Sequence, residues 1–111
     1  MVEQRRVELE AKLLSTLAQP TRLKILYLLR DGERCACQIT PVMKEDQSVI
    51  SRHLMKLKEE GILDSEKQGV TVFYWIADPR VFRLLEMADM IVNDTVQRRA
   101  REAAGVFQDG Y

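Results

Sequence analysis

The residues best equipped for chemistry are Cys35 and Cys37, held one residue apart in Cys35-Ala36-Cys37. Two soft thiolates at that spacing can chelate a thiophilic ion such as As(III), Sb(III), Cd(II) or Zn(II). A closed structural zinc site wants four ligands, and the single histidine, His53, lies in a different segment. The pair reads as reduced thiols rather than a structural staple, the usual state in the cytosol. Nothing around it resembles the strand-turn-helix that presents a thioredoxin-type Cys-x-x-Cys. A Gly-rich phosphate loop, a paired-carboxylate constellation and a second histidine are also missing, so the chain is not read as an enzyme.

The element that carries the thiols is constrained by Thr40-Pro41. Proline fits only the first turn of a helix. A helix here therefore starts with Thr40 as its cap and Pro41 at its first position, or just after Cys37. Either way the thiols lie at or before a helix N-terminus, where the dipole lowers a thiol pKa. Residues i and i+2 of an α-helix point to nearly opposite sides. Binding one ion through both sulfurs is then expected to demand an extended or distorted turn, and the distortion would pass to the helix that follows.

That following helix is Asp46-Gln47-Ser48-Val49-Ile50-Ser51-Arg52-His53-Leu54-Met55-Lys56-Leu57. Ile50, Leu54 and Leu57 recur at i, i+4, i+7 and should face a core. Gln47, Ser48, Ser51, Arg52 and Met55 lie opposite, with Lys56 and Lys58 on the flank, and Asp46 or Ser48 can cap the start. A small, polar and basic face suits a DNA major groove, where Gln and Ser reach base edges and Arg reaches guanine or phosphate. Taken alone, the segment is equally an amphipathic helix with a solvated face. His53 sits beside Ile50 and Leu57 on the helical wheel, as a packing or backbone-phosphate residue rather than a metal ligand.

The neighbours decide between these readings. Upstream, residues 17–29 form a helix with Pro20 in its first turn, closed by Asp31-Gly32. Downstream, residues 64–76 turn at Gln68-Gly69 and end in the β-branched and aromatic run Val70-Thr71-Val72-Phe73-Tyr74-Trp75-Ile76, a β-hairpin. Tyr74 and Trp75 are expected to divide between core and exposed faces. Helix, helix, polar-faced helix and hairpin is the order of a winged helix-turn-helix.

From about Leu14 to Ile76 the chain resembles the ArsR/SmtB family of small dimeric winged-helix repressors. The resemblance rests on Gln19-Pro20-Thr21-Arg22-Leu23-Lys24-Ile25-Leu26, Glu33-Arg34-Cys35-Ala36-Cys37-Gln38-Ile39, Gln47-Ser48-Val49-Ile50-Ser51-Arg52-His53-Leu54 and the aromatic strand Val72-Phe73-Tyr74-Trp75. It implies a mainly α fold with a small β-hairpin, and Cys35 and Cys37 as ligands for an As(III) or Sb(III) inducer with no other cofactor required. It implies DNA contact through Gln47, Ser48, Ser51, Arg52, His53, Lys56 and Lys67. Two features depart from the family. Arsenic sensors commonly carry a third cysteine where this chain has Thr40, and the wing holds Asp64 and Glu66 beside a single lysine, which weakens the case for wing–DNA contact. The C-terminal zinc site of some relatives is also missing, since Asp89, Asn93 and Asp94 have no histidine with them.

Bulk properties fit one small regulator. The chain has 111 residues, with seventeen basic and seventeen acidic side chains and no net charge. Neutrality does not exclude DNA binding, because local clustering supplies phosphate contacts. Arg98, Arg99 and Arg101 form a further cluster, read as a solvated helix face. With no signal peptide and no apolar run long enough for a bilayer, the expected location is cytoplasmic, with no membrane partner. The expected layout is one domain: an N-terminal dimerisation helix over 1–17, the helix-turn-helix over 20–60, the wing over 62–76 and a C-terminal dimerisation helix over 79–104. Asp78 is expected to cap that last helix and Pro79 to open it. Both terminal helices carry wide apolar stripes, so the partners expected are operator DNA, a second copy of the chain and a metalloid ion. The function expected is a repressor that leaves its operator when As(III) or Sb(III) binds the thiols. The alternatives are a redox-responsive dithiol, or a winged helix without sensing that binds DNA or protein.

Overall fold

The computed structural model describes residues 3–109, with side chains through residue 105. The elements are α1 (Gln4–Leu17), α2 (Pro20–Leu28), β1 (Arg34–Cys35), α3 (Ala36–Met43), α4 (Gln47–Glu59), β2 (Leu63–Gln68), β3 (Thr71–Ile76) and α5 (Arg80–Asp109). They fall into two compact units, residues 1–78 and 79–111.

In the first unit, α2 is started by its own sequence. Gln19 stays extended and its Oε1 accepts from Arg22 N–H at 2.8 Å, while Pro20 takes the first helical position, where a missing N–H costs nothing. The helix tightens into a single 3-10 turn over Leu29–Asp31 and stops at Gly32. With φ at 137°, Gly32 occupies backbone space that an L side chain rarely adopts.

The core of this unit collects the apolar stripes of three helices. Ile25 and Leu26 of α2, Ile39 of α3, and Ile50, Leu54 and Leu57 of α4 are fully buried. The 3.6-residue spacing anticipated for α4 is therefore the spacing that buries it. Burying each such side chain contributes about 1.5–3 kcal/mol. Leu29, Ile62 and Leu63 close the cluster at its edges.

The sheet differs from the hairpin expected. It has three antiparallel strands in the order β1-β3-β2, with Arg34 opposite Tyr74 and Cys35 opposite Phe73. The hairpin β2–β3 pairs from Leu63–Ile76 to Gln68–Thr71 and turns at Gly69-Val70, Gly69 having φ of 67°. β1 escaped the sequence reading because two residues are too few to display an alternation. Its addition makes β3 the central strand, and all six β3 residues are half-buried. Tyr74 and Trp75 thus do not split into one core and one exposed face.

A second difference concerns Pro41, the sixth residue of α3 rather than its first. At that position proline has no N–H for the i−4 carbonyl, and in an eight-residue helix few bonds depend on it. Only the bond to the Cys37 carbonyl is lost. Thr40 reinforces the preceding turn, its hydroxyl donating to the Ala36 carbonyl at 2.7 Å.

The second unit is α5, a helix of 30 residues. It starts one residue after Pro79, whose carbonyl accepts from Phe82 N–H at 3.1 Å. Leu84, Met87, Met90, Ile91, Val92 and Val96 are exposed along it, as Val7, Leu9, Leu13 and Leu14 are along α1 in the first unit. The N-terminal helix begins at Gln4 and runs to Leu17, while Val2, assigned to it from sequence, lies outside the described residues. Among the described residues no helix is long and apolar enough to cross a membrane.

Candidate nucleic-acid interface and thiol site

Every residue assigned to the reading face falls on α4 or the wing. Gln47, Ser48, Arg52, Met55 and Lys56 are exposed, Ser51 and His53 half-buried, and Lys67 exposed on β2. With Ile50, Leu54 and Leu57 fully buried on the other side, α4 shows one polar face to solvent. Neither Asp46 nor Ser48 caps the helix with its side chain, although Asp46 holds the extended N-cap backbone. Its carbonyl accepts from the N–H groups of Val49 and Ile50.

Several of these side chains hold α4 in place. The Nδ1 of His53 accepts from Arg22 Nε at 3.1 Å, and another Arg22 nitrogen donates to the Thr16 carbonyl at 3.1 Å. The Arg22–His53 pair thus joins the end of α1, the start of α2 and the middle of α4. Burial lowers the His53 pKa below its usual value, with the Arg22 and Arg52 charges acting in the same direction and Glu45 against them. A neutral ring is what an Nδ1 acceptor requires. Lys56 faces Glu60 at 3.3 Å, and Glu60 also meets Lys12 of α1 at 3.5 Å. Desolvation works to raise the Glu60 pKa, but the Lys56 hydrogen bond and the Lys12 charge outweigh it and lower it. Lys58 Nζ donates to Ser65 Oγ at 2.6 Å, tying α4 to β2. No local pattern signals the Arg22 clamp, whose partners stand 31 residues apart.

The thiol pair is where the structure changes the chemistry most. Cys35 is buried at the end of β1 and serves as the extended N-cap of α3, with φ −87° and ψ 164°, while Cys37 is exposed in the first turn. Gln38 Oε1 accepts from Cys35 N–H at 3.0 Å and fixes this junction. The two sulfurs are joined in a disulfide across a Cα–Cα distance of 5.1 Å, against the expectation of two separate thiols. They converge while α3 stays helical. The expected clash between helix and chelation disappears, because Cys35 lies outside the helix and the i, i+2 divergence applies only within one. Among the described residues, no three His, Cys, Asp or Glu side chains come together as a metal site.

The two cysteines and part of the polar face of α4 line one groove of about 280 Å³. Cys35 and Cys37 form one end, Gln47 and Ser51 of α4 one wall, and Val72 and Tyr74 of β3 another. Val72 and Tyr74 share a strand face by their spacing of two, but nothing in the sequence brings that face to the cysteines. The missing piece was β1, which pairs Cys35 directly beside them.

Comparison with known proteins follows the same outline. Residues 19–65 match the family described as bacterial regulatory protein, arsR family. Over 83 residues the chain is 40% identical to an HTH-type transcriptional regulator of Methanocaldococcus jannaschii, across 74% of this chain and 93% of that one. The chain belongs to the arsR family. This arsR-family chain is 43% identical over 67 residues to the arsenical resistance operon repressor of Escherichia coli, across 60% of this chain and 57% of the repressor. Its fold is similar to that of the homodimeric winged helix-turn-helix DNA-binding domain Mb0332 from Mycobacterium bovis. The TM-score is 0.76 at 26% identity, over 87% of this chain and 93% of that one. The protein is thus a DNA-binding transcriptional repressor of the arsR family, and its relatives are regulators rather than enzymes.

Proposed function

We propose that this repressor binds its operator as a homodimer, reads it with α4, and releases it when a trivalent metalloid bridges Cys35 and Cys37. The observation that carries this reading is the convergence of both sulfurs at the head of α3, in a groove shared with Gln47 and Ser51. Arsenic(III) and antimony(III) are thiophilic, and a dithiol held by a folded scaffold loses little entropy in binding them. In this reading Gln47, Ser48, Ser51 and Arg52 contact base edges, and His53, Lys56 and Lys67 contact phosphates. The exposed apolar residues of α1 and α5 supply the surface for a second copy of the chain. The E. coli relative is named for arsenical resistance and the M. bovis domain for its homodimer, which supports both parts of the reading.

The disulfide itself favours a second reading. Oxidation of the dithiol removes two electrons and two protons and gives the disulfide seen here, at the head of a helical α3. A cytosolic peroxide could therefore take the role of the metalloid.

Fluorescence anisotropy of the reduced protein on the DNA upstream of its own gene separates these cases. Binding that arsenite abolishes, and that the Cys35→Ser/Cys37→Ser double variant keeps in arsenite, is the expected result. Binding indifferent to arsenite but lost with peroxide selects the redox reading. No binding in any state contradicts the operator assignment.

A further inference from the structure

The chain has a single histidine, His53, in the middle of α4. Which of its two ring nitrogens can face the operator is decided inside the protein. Arg22 Nε donates to Nδ1 at 3.1 Å. A guanidinium has donors only and keeps its charge, so Nδ1 is the bare, accepting nitrogen and the ring proton sits on Nε2. Burial, joined by the Arg22 and Arg52 charges, lowers the His53 pKa against the pull of Glu45, which favours the neutral ring. Nε2 has no hydrogen-bond partner among the described residues. No side-chain nitrogen or oxygen among them is buried without one, so Nε2–H opens to solvent. Lys56, exposed and three residues on, flanks the same side of the helix. Arg22 itself is held at two further points. Another of its guanidinium nitrogens donates to the Thr16 carbonyl at 3.1 Å, and its backbone N–H to Gln19 Oε1 at 2.8 Å.

We propose that Arg22 is a positioning residue for operator binding: anchored on the end of α1 and the head of α2, it fixes His53 as the Nε2–H tautomer and aims that N–H at a phosphate oxygen of the duplex. The proposal deepens the reading of α4 above and rests on it. Without the anchor, the ring would spend part of its time with a bare nitrogen toward the phosphate, where two acceptors repel. With it, the donor is set before DNA arrives, and no ordering of the ring is left for the binding step. Arg22 touches no DNA in this scheme and acts only through His53.

A lone histidine makes the test unambiguous. The reduced full chain is prepared with isotope-labelled histidine, and proton–nitrogen correlation spectra of the ring are recorded above the ordinary histidine pKa of about 6.5. The free protein should show one neutral tautomer, Nε2–H. Adding DNA from upstream of its own gene should shift Nε2 and slow the exchange of its proton with water, with the tautomer kept. Arg22→Lys keeps the charge but lacks the rigid fork that serves Thr16 and His53 together. Its His53 should show both tautomers, and DNA binding should weaken about three- to tenfold, as loss of one hydrogen bond implies. His53→Gln carries an amide N–H near the place of Nε2, whereas His53→Asn reaches only as far as Nδ1. The Gln variant should therefore bind DNA about three- to tenfold more tightly than the Asn variant, and this pair supplies the test should Arg22→Lys fail to fold. An Nδ1–H tautomer or a charged ring in the free wild type overturns the proposal. An Nε2 signal that bound DNA leaves unchanged, or equal affinities for the Gln and Asn variants, also overturns it and leaves the α4 reading standing. Failure of the wild type to bind the DNA overturns that reading and the proposal together.

Discussion

α3 and α4 are consecutive helices of one motif, yet their roles depend on different features. α4 acts through its periodicity: three fully buried residues fix its rotation, and the opposite face follows. α3 acts through its boundary. It is eight residues long, begins at the end of a strand, tolerates Pro41 and brings its chemistry from Cys35, which lies just outside it. A helix face is robust to a shift of one residue at its end, whereas a convergent Cys-x-Cys pair is not. Moving the start of α3 back by one residue would put both cysteines inside the helix and turn their sulfurs apart.

The largest effect that would sharpen this contrast is expected on the α4 side. Leu54→Ala should remove about 2–5 kcal/mol of stability, as a fully buried leucine does, read from urea or thermal unfolding. A loss under 1 kcal/mol would mean that α4 is not seated by its stripe. Next comes Arg52→Ala, which leaves the core untouched. Operator binding should weaken by about 1–3 kcal/mol, with an unchanged unfolding midpoint. Equal affinity for wild type and variant would remove Arg52 from the reading face.

On the α3 side, Gln38→Ala deletes the side chain that accepts from Cys35 N–H. About 1 kcal/mol of stability should go with this half of the cap. The reduced variant should also bind arsenite more weakly, because its thiols are less well placed. Arsenite affinity equal to wild type would show that the boundary needs no such support. The smallest effect is the pH response of the Arg22–His53 clamp. The folded pKa of His53 lies below its unfolded value of 6.5, so the unfolded chain takes up the proton first. The clamp's contribution is complete above pH 6.5 and declines as pH falls from there through the lowered folded pKa. His53→Gln should flatten that part of the stability profile. A profile identical to wild type between pH 5 and 7 (about the range in which histidine titrates) would contradict the assignment.

What the sequence displayed follows the same division. The α4 stripe, Pro20 opening α2 and the hairpin were legible because each is a local pattern of three or more residues. β1 was not, since Arg34-Cys35 is a strand only by pairing with β3, nearly forty residues later in the chain. Its absence moved the expected start of α3 and made the thiol pair look incompatible with a helix. Pro41 compounded the error: its cost falls only on the Cys37 carbonyl, in a helix too short to have much interior. The shared groove was hidden for the same reason, because it needs Cys35 on the sheet beside Val72 and Tyr74. The polar, exposed face of α4 was legible from residue types and one period, whereas the clamp that holds the helix was not.

The central claim is that the dithiol can be bridged with α3 intact and that its ligand enters the groove where α4 meets the wing. Backbone and side-chain NMR shifts of the reduced protein, with and without one equivalent of arsenite per chain, test it most directly. The account predicts helical shifts retained from Ala36 to Met43 and perturbations concentrated at Gln47, Ser51 and residues 70–74. Loss of helical shifts across α3, with the groove residues no more perturbed than the rest of the chain, would contradict it.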